Sequence, residues 1–428
     1  MNLRPSQCDI KKISITDHTK TKVINKDSNF LEFFSTIDIF ENVFNPFITA
    51  DLTLLDGASF IEKNNITGDE DFEIEFQGYG SDDTLTYKFK VAELLYNIPN
   101  PNLRSKNVGL RLTSKEFLAD SSIAISKSYS VSTKDIITDI IKKQLGSDKT
   151  IFTEDTRDLP VTVIPFLTPL QSIDFIRQRL VSSKYKSSTF LFFETSKGYL
   201  LTTVEGIYER DMKNSQKFFQ KEAVSETIKG DLQSLTDLDS FHIFQNYTVK
   251  SSFNLNHSLK NGGLKSIISQ YDLTTKKFET RVFQNSPSNN IFVDSTGGKN
   301  PLISSTIYNK YSQDKNKPYF LPFSKYKDTD NNTTNFLYDT VAERLCFSNL
   351  FTMEKTYIDI PGNTRINAGS IVFLQVPRYD ALQSNRPVNE MDSGYYIVTA
   401  CKHTITNADT AKYDTHLELM RFGRGMLE

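Results

Sequence analysis

Ile358-Asp359-Ile360-Pro361-Gly362-Asn363-Thr364-Arg365-Ile366-Asn367-Ala368-Gly369-Ser370-Ile371-Val372-Phe373-Leu374 is followed by Asp392-Ser393-Gly394-Tyr395-Tyr396-Ile397-Val398-Thr399-Ala400 and by Tyr413-Asp414-Thr415-His416-Leu417-Glu418-Leu419-Met420-Arg421. These short runs are rich in Ile, Val, Thr, Tyr and Phe and are bounded by Gly, Pro, Asn or Asp. That is the text of β-strands and their turns. None of the three sets a nucleophile beside a base. The block therefore reads as architecture, and its strands need partners to bury their apolar faces.

Upstream, similar text fills the first 118 residues. Apolar runs are expected as strands at 13–16, 33–40, 47–55, 71–77, 85–96 and 107–113. In Asp71-Phe72-Glu73-Ile74-Glu75-Phe76-Gln77 the phenylalanines and Ile74 share one face and the carboxylates the other, as a half-buried antiparallel strand requires. Closure into a small barrel removes the aggregation-prone edges of such a set. Residues 1–118 are accordingly expected to form a first barrel.

Between 119 and 237 the period changes. Ser132 or Thr133 can cap a helix through Leu145, with Ile136, Ile137, Ile140 and Ile141 on one stripe and Gly146 as its stop. Thr168-Pro169-Leu170-Gln171 opens a second helix: Thr168 caps, Pro169 suits the first helical position and Gln171 closes a capping box. Phe190-Leu191-Phe192-Phe193-Glu194 and Tyr199-Leu200-Leu201-Thr202-Thr203 flank Thr195-Ser196-Lys197-Gly198, a hairpin around a four-residue turn. The region reads as an α+β module. Strand text resumes from Phe244, and the second barrel is expected in two pieces, 238–283 and 354–428. Residues 284–353 read as a polar insertion or arm ending in a helix near 335–348.

Composition narrows the classes of function. At 428 residues the chain should contain several domains. Its 50 basic and 52 acidic residues give a net charge of −2, so no global field would hold a polyanion, and stable nucleic-acid binding is not expected. Cys8, Cys346 and Cys401 lie far apart, which suggests neither a disulfide framework nor a zinc site. No apolar run approaches the roughly 20 residues of a spanning helix. The N-terminal text lacks the apolar centre of a signal peptide, so synthesis and assembly in the cytoplasm, without membrane insertion, are expected.

The order of barrel, α+β module and split second barrel resembles the baseplate hub proteins of contractile phage tails and the hub part of type VI secretion spike proteins. The local text is similar as well: Phe166-Leu167-Thr168-Pro169-Leu170-Gln171-Ser172-Ile173-Asp174-Phe175-Ile176 with Phe192-Phe193-Glu194, Gly263-Leu264-Lys265-Ser266-Ile267-Ile268-Ser269-Gln270-Tyr271-Asp272, and the closing block itself. The resemblance implies a mainly β fold with an α+β insertion, in which two tube-type antiparallel barrels per chain form a ring-like homotrimer. It implies a structural virion component that matches a sixfold tail tube to a threefold central spike, with tube, spike and wedge proteins as partners and DNA in transient passage. A trimer meeting a hexamer needs two tube-like surfaces in each chain. Related expectations are the hub of an injection particle that carries no DNA or, from another class, a tail-associated cell-wall hydrolase.

For catalytic, cofactor and metal sites the expectation is none. Asp69, Glu70, Asp71, Glu73 and Glu75 read as a solvated strand face, because neighbours on one strand cannot flank a glycosidic bond. His18, His242, His257, His403 and His416 are scattered, although His403 and His416 could face each other across paired strands. Small basic groups at 104–111 and 213–221 read as solvated faces rather than a DNA-lining stripe. Residues 38–55, with Phe40, Phe44 and Phe47 around Pro46, are the first candidate for an edge that joins another subunit or the tube.

Overall fold

The computed structural model describes residues 6–16, 23–25, 33–78, 83–100, 104–157, 159, 161–220, 242–251, 254–256, 265–272, 276–284, 300–301, 310, 317–323, 336–351, 354–378, 388–407, 411–421 and 423–424. The first quarter contains β1 (Cys8–Thr16), β2 (Val23–Asn25), β3 (Phe34–Asn42), β4 (Thr49–Asp56), α1 (Phe60–Asn64), β5 (Asp71–Gly78), β6 (Thr84–Asn100) and β7 (Ser105–Thr113). Next come α2 (Lys115–Asp120), β8 (Ile125–Tyr129), α3 (Thr133–Thr138), β9 (Ile151–Thr153), β10 (Thr162–Leu167), α4 (Pro169–Arg177), β11 (Leu191–Thr195), β12 (Gly198–Thr202), α5 (Val204–Asp211) and β13 (Gln216–Gln220). Then follow β14 (Ile243–Ser251), β15 (Lys265–Asp272), β16 (Phe278–Gln284), β17 (Asn300–Pro301), β18 (Lys317–Phe323) and α6 (Phe336–Phe351). The last group is β19 (Lys355–Pro361), β20 (Ile371–Gln375), β21 (Gly394–Thr406), β22 (Lys412–Met420) and β23 (Gly423–Arg424).

The fold is mainly β, and its strands form two rings that share one hairpin. In the first, β1, β5, β6, β7, β4 and β3 pair antiparallel in that order, and β3 continues onto β21. β22 completes the circuit: Gln7 bridges Lys412, the Cys8 amide donates to the Ala411 carbonyl at 3.0 Å and the Tyr413 amide to the Ser6 carbonyl at 2.8 Å. The second ring is a closed six-strand barrel, β21-β20-β13-β14-β19-β22, in which β13 runs parallel to both of its neighbours.

The 13 residues of β21 make this sharing possible. At about 3.3 Å per residue the strand spans about 43 Å, enough for two ladders end to end. Residues 394–397 pair with β20 and residues 400–406 with β3. Between them the register against β22 shifts at Val398 and Ala400, leaving Thr399 as the extra residue of a bulge, where the strand changes direction. The Val43 amide caps the Thr399 carbonyl at 2.9 Å, so the bulge loses no backbone bond.

Alternation explains both interiors. Phe72, Ile74 and Phe76 of β5 point inward with Ile37 and Ile39 of β3 and Leu52 and Leu54 of β4. Ile405 and Tyr413 of the shared hairpin enter that same cluster. The second interior takes Phe218 from β13, Phe244 from β14, Ile358 and Ile360 from β19, and Leu417 and Leu419 from β22.

Several boundaries differ from the sequence reading. The first ring does not close within 1–118, because its last two strands come from the C-terminal hairpin. Residues 265–272 and 278–284, expected in the second barrel, instead form a separate three-stranded sheet with β18. The strand that fills their place is β13, a run of five residues inside the expected α+β span; its parallel pairing needs no adjacent turn and so leaves no hairpin text. Within 285–335, read as loop, Lys317–Phe323 is a strand, and most of the remaining stretch lies outside the described residues.

The middle region contains the expected helices and hairpin. Ser132 accepts from the Asp135 amide to start α3, which continues as a wider π-helical turn over Asp139–Gln144. The capping box on α4 is complete, with the Thr168 hydroxyl accepting from the Gln171 amide at 3.4 Å and the Gln171 side chain accepting from the Thr168 amide at 3.3 Å. β11 and β12 pair from Leu191↔Thr202 to Thr195↔Gly198, so Ser196 and Lys197 form the tip. That tip is driven between the two rings.

Candidate assembly site at the junction of the rings

Glu41 lies where three regions meet. On β3 and just past its end, residues 37, 39, 41 and 43 are buried, and the third of them is a carboxylate with 1% of its surface exposed. Its Oε1 accepts from the Tyr87 hydroxyl of β6 at 3.0 Å and from the Ser196 amide at the hairpin tip at 2.9 Å. Its Oε2 accepts from the Ala368 amide, in the loop before β20, at 3.0 Å. Burial pushes the Glu41 carboxyl up to about 7, against the pull of these donors. One side chain thus joins the first ring, the α+β module and the second ring. Gly369 completes the fit: its φ of +83° lies in the glycine region, and a Cβ there would stand 2.8 Å from the Phe193 ring of β11.

A second buried group fixes the other side of the hairpin. Lys149 Nζ bridges Glu116 at 2.6 Å and Glu194 at 2.5 Å, while Glu194 also accepts from the Ser114 hydroxyl at 2.7 Å and the Ile48 amide at 3.2 Å. Burial raises the Glu194 carboxyl; at Glu116 burial also pushes upward, but the Lys149 charge and the hydrogen bonds from Lys149 and Ser147 together outweigh it, and the net shift is downward. Two carboxylates share one ammonium, and the ionised form is favoured at Glu116 and disfavoured at Glu194.

The closing strands do bring a nucleophile to a base, contrary to the sequence reading. Cys401 and His403, two apart on β21, point to the same side, with Sγ 3.4 Å from Nε2, and the Tyr413 hydroxyl lies 2.8 Å from Nδ1. Both side chains are buried. Burial raises the Cys401 thiol well above its ordinary value and lowers His403 to about 3. A neutral thiol beside a neutral imidazole, sealed from solvent, is the opposite of an activated pair.

Other candidate residues resolve into structural partnerships. His403 and His416 do not face each other, because the register sets His416 opposite Lys402 and His403 opposite Thr415, on opposite faces. His416 pairs with Asp359 at 2.5 Å outside, and the His242 ring lies 5.9 Å from Phe218. His18 and His257 lie outside the described residues. Among the carboxylates, Asp69 and Asp71 each stand 3.1 Å from Lys90, and Glu73 is 2.5 Å from Lys12. Glu70 departs from the solvated reading: it is buried and accepts from the Thr67 and Gly68 amides. In the basic stretches Arg111 is bound to Asp51, Lys106 to Glu62, and Lys217 lies over the Phe373 ring. The proposed edge at 38–55 is not an edge. β3 is paired with β21 and β4, and β4 with β3 and β7, because the C-terminal hairpin occupies the side that looked open in sequence.

Among the described residues no three or more His, Cys, Asp or Glu side chains converge as metal ligands, and no helix is long and apolar enough to cross a membrane. No family model matches the chain, and no curated protein matches it in sequence. Solved structures do. The 43 kDa tail protein of prophage MuSo2 from Shewanella oneidensis superposes with a TM-score of 0.53 at 9% identity, covering 96% of this chain and 98% of that one. The chain has the fold of a prophage tail protein. The tail protein from Neisseria meningitidis is similar, with a TM-score of 0.51, 9% identity and coverage of 96% of each chain. A Francisella PdpA–VgrG complex gives a TM-score of 0.50 at 10% identity, spanning 100% of this chain and 54% of that one.

This tail-protein fold agrees with the hub-type resemblance read from the sequence. Sequence reasoning missed Glu41, although its signal was present: the inward alternation Ile37, Ile39, Val43 carries a carboxylate at its third step.

Proposed function

We propose that this chain is the structural hub of a contractile phage-tail baseplate, a homotrimer that matches the sixfold tail tube to the threefold central spike and forms part of the conduit for DNA. The observation that carries the reading is the pair of strand rings fused through one hairpin. Three such chains present six ring-shaped units to a hexameric tube while keeping a threefold axis for the spike. The rigidity such a part needs has a source in the Glu41 junction, where three regions are tied by buried hydrogen bonds.

The role is mechanical and not enzymatic: the cysteine and histidine that approach each other do so in a sealed interior with their charged forms suppressed. The working division is a first ring from 1–118 completed by the terminal hairpin, an α+β module from 119, and a second ring that recruits β13. The place of action is the virion tail, with tube, spike and wedge proteins as partners. Mass measurement of the purified chain, alone and with its cognate spike, tests the reading. A trimer is expected; a chain that stays monomeric with the spike present would refute it.

A further inference from the structure

Two surface features are complementary to each other, and each is held in place by its own part of the fold. The first is a groove. Two adjoining cavities of about 340 and 370 Å³ share Phe44, Arg177 and Leu191, and Leu345 of α6 lines the far side. Phe44, at the turn between β3 and β4, is 45% exposed. The rim is cationic. Arg344 donates to the Gln178 carbonyl, Arg177 holds Asp174 and the Phe190 carbonyl, and Arg179 lies 3.6 Å over the Phe175 ring. Burial, with added repulsion from Arg177 and Arg179, lowers the Arg344 guanidinium to about 10. The neighbouring acids are Asp174, already bound to Arg177, and Glu343, which accepts from the Ser188 amide and hydroxyl. Three guanidiniums crowd two carboxylates, an arrangement that a further anion would relieve.

The second feature is an arm. β6 loses its β5 partner after Lys90, and among the described residues 92–100 pair with β7 alone. This edge carries Leu94 at 51% and Ile98 at 56% exposure beside the exposed Glu93. The arm is stiffened from within, because Tyr96 lies flat over Gly109, where a Cβ would come within 2.4 Å of its ring, and bonds Thr53 at 3.0 Å. A rigid apolar strand edge with an acidic residue, left open, is a template for association.

The arm runs along the ladder of β4, with Glu93 level with Arg111 and Asp51 near its start and Ile98 level with Asn107 and Leu55 near its end. Phe44 precedes Thr49, so the groove lies beyond the start of β4. Six steps of about 3.3 Å from Thr49 to Leu55 carry Ile98 about 20 Å along this ladder, away from the groove. Held to β7 along its length, the arm cannot swing into its own groove but can reach that of a neighbour, and a contact between two different patches generates a ring when its rotation closes.

We propose that the β6 arm of one copy, presenting Glu93 and Ile98 on one face, seats in the Phe44–Leu191–Leu345 groove of the next copy with Glu93 against Arg344 and Arg177, and that this head-to-tail contact closes the trimer. The inference rests on the hub reading above. Its test compares solution masses of the wild-type chain, Glu93→Arg, Arg344→Glu, the Glu93→Arg/Arg344→Glu double variant and Ile98→Lys, with spike present and with folding checked by thermal unfolding. Each single variant should weaken association by at least about tenfold, and the charge-swapped double should recover most of it. A wild-type trimer with Glu93→Arg and Ile98→Lys equally trimeric would overturn this contact while leaving the hub reading intact. A double variant that fails to recover would also overturn it. Wild-type protein monomeric with its spike would instead remove the hub reading and this contact together. Glu93 and Ile98 are exposed, so their variants keep the test decisive if Arg344→Glu does not fold.

Discussion

The two rings use the same hairpin but are built in opposite ways. The first takes six strands from one continuous stretch, Cys8 to Thr113, and every pairing in it is antiparallel. The second draws β13 and β14 from one part of the chain and β19 to β22 from another, and two of its seams are parallel. Their buried charges differ as well. In the first ring Glu41 is a lone carboxylate satisfied by neutral donors at the boundary. Beside the second, Arg421 and Glu354 form an ion pair at 2.6 Å with both side chains 2% exposed, and the Arg421 guanidinium lies 4.6 Å over Tyr396. Local connectivity lets a ring form from hairpins; distant connectivity needs specific buried partners to select one pairing among several.

The sharpest way to break this contrast is through Tyr413, which belongs to both rings. Its ring packs against Phe76 at 5.2 Å in the first, and its hydroxyl lies 3.0 Å from the Asn363 carbonyl in the loop after β19. Tyr413→Ala should cost about 4 kcal/mol and leave a single denaturant transition, since neither ring closes without the hairpin. Two separate transitions would mean that the rings are independent.

Arg421→Ala should cost somewhat less, about 3 kcal/mol, by stranding the buried Glu354 carboxylate. Paired replacement by Arg421→Met and Glu354→Leu should restore most of that loss in the same unfolding assay. A double variant as weak as the single would show that the pair selects the second ring's structure rather than merely stabilising it.

The pH dependence separates the lone acid from the pair. Glu41 has its folded pKa raised from 4.5 to about 7, so between those values the folded chain holds a proton that the unfolded chain has lost. Stability from this group is therefore fully present below pH 4.5 and declines as pH rises through 7, by an amount on the order of 2 to 3 kcal/mol. Glu194 and Glu205 shift in the same direction, so the decisive quantity is the difference between wild type and Glu41→Gln. The variant should lose most of the slope; an unchanged slope would assign the titration elsewhere. The smallest effect belongs to a local feature outside both rings: Thr168→Ala, which opens the capping box of α4, should cost about 1 kcal/mol in thermal unfolding.

The same contrast explains what could be read in advance. β5 was legible because Phe72, Ile74 and Phe76 alternate with Asp71, Glu73 and Glu75, and α4 because Thr168, Pro169 and Gln171 each satisfy a requirement of a helix start. Both signals are local. β13 has no such signal, since its partners Val372 and Ile243 lie far along the chain and parallel pairing leaves no turn between them. The exchange of β15 and β16 out of the second barrel was hidden for the same reason: a strand's text states which face is apolar and not which edge it joins. At the candidate site the inward alternation of Cys401, His403 and Ile405 on β21 was present in the sequence, but the facing of His403 and His416 suggested there fails, because the register of two strands is not written in either one.

The sharing of β21 and β22 also bears on synthesis. β7 ends at Thr113, and the residues that seal the first ring, 411–413, are made about 300 residues later. At roughly 5 to 20 residues per second this is a wait of roughly 15 to 60 s, during which β1 and β3 have emerged with their ring edges unfilled. Early closure with the strands of another nascent chain is the hazard of that interval, and the bulge at Thr399 marks where it ends, when one late strand turns from the second ring into the first.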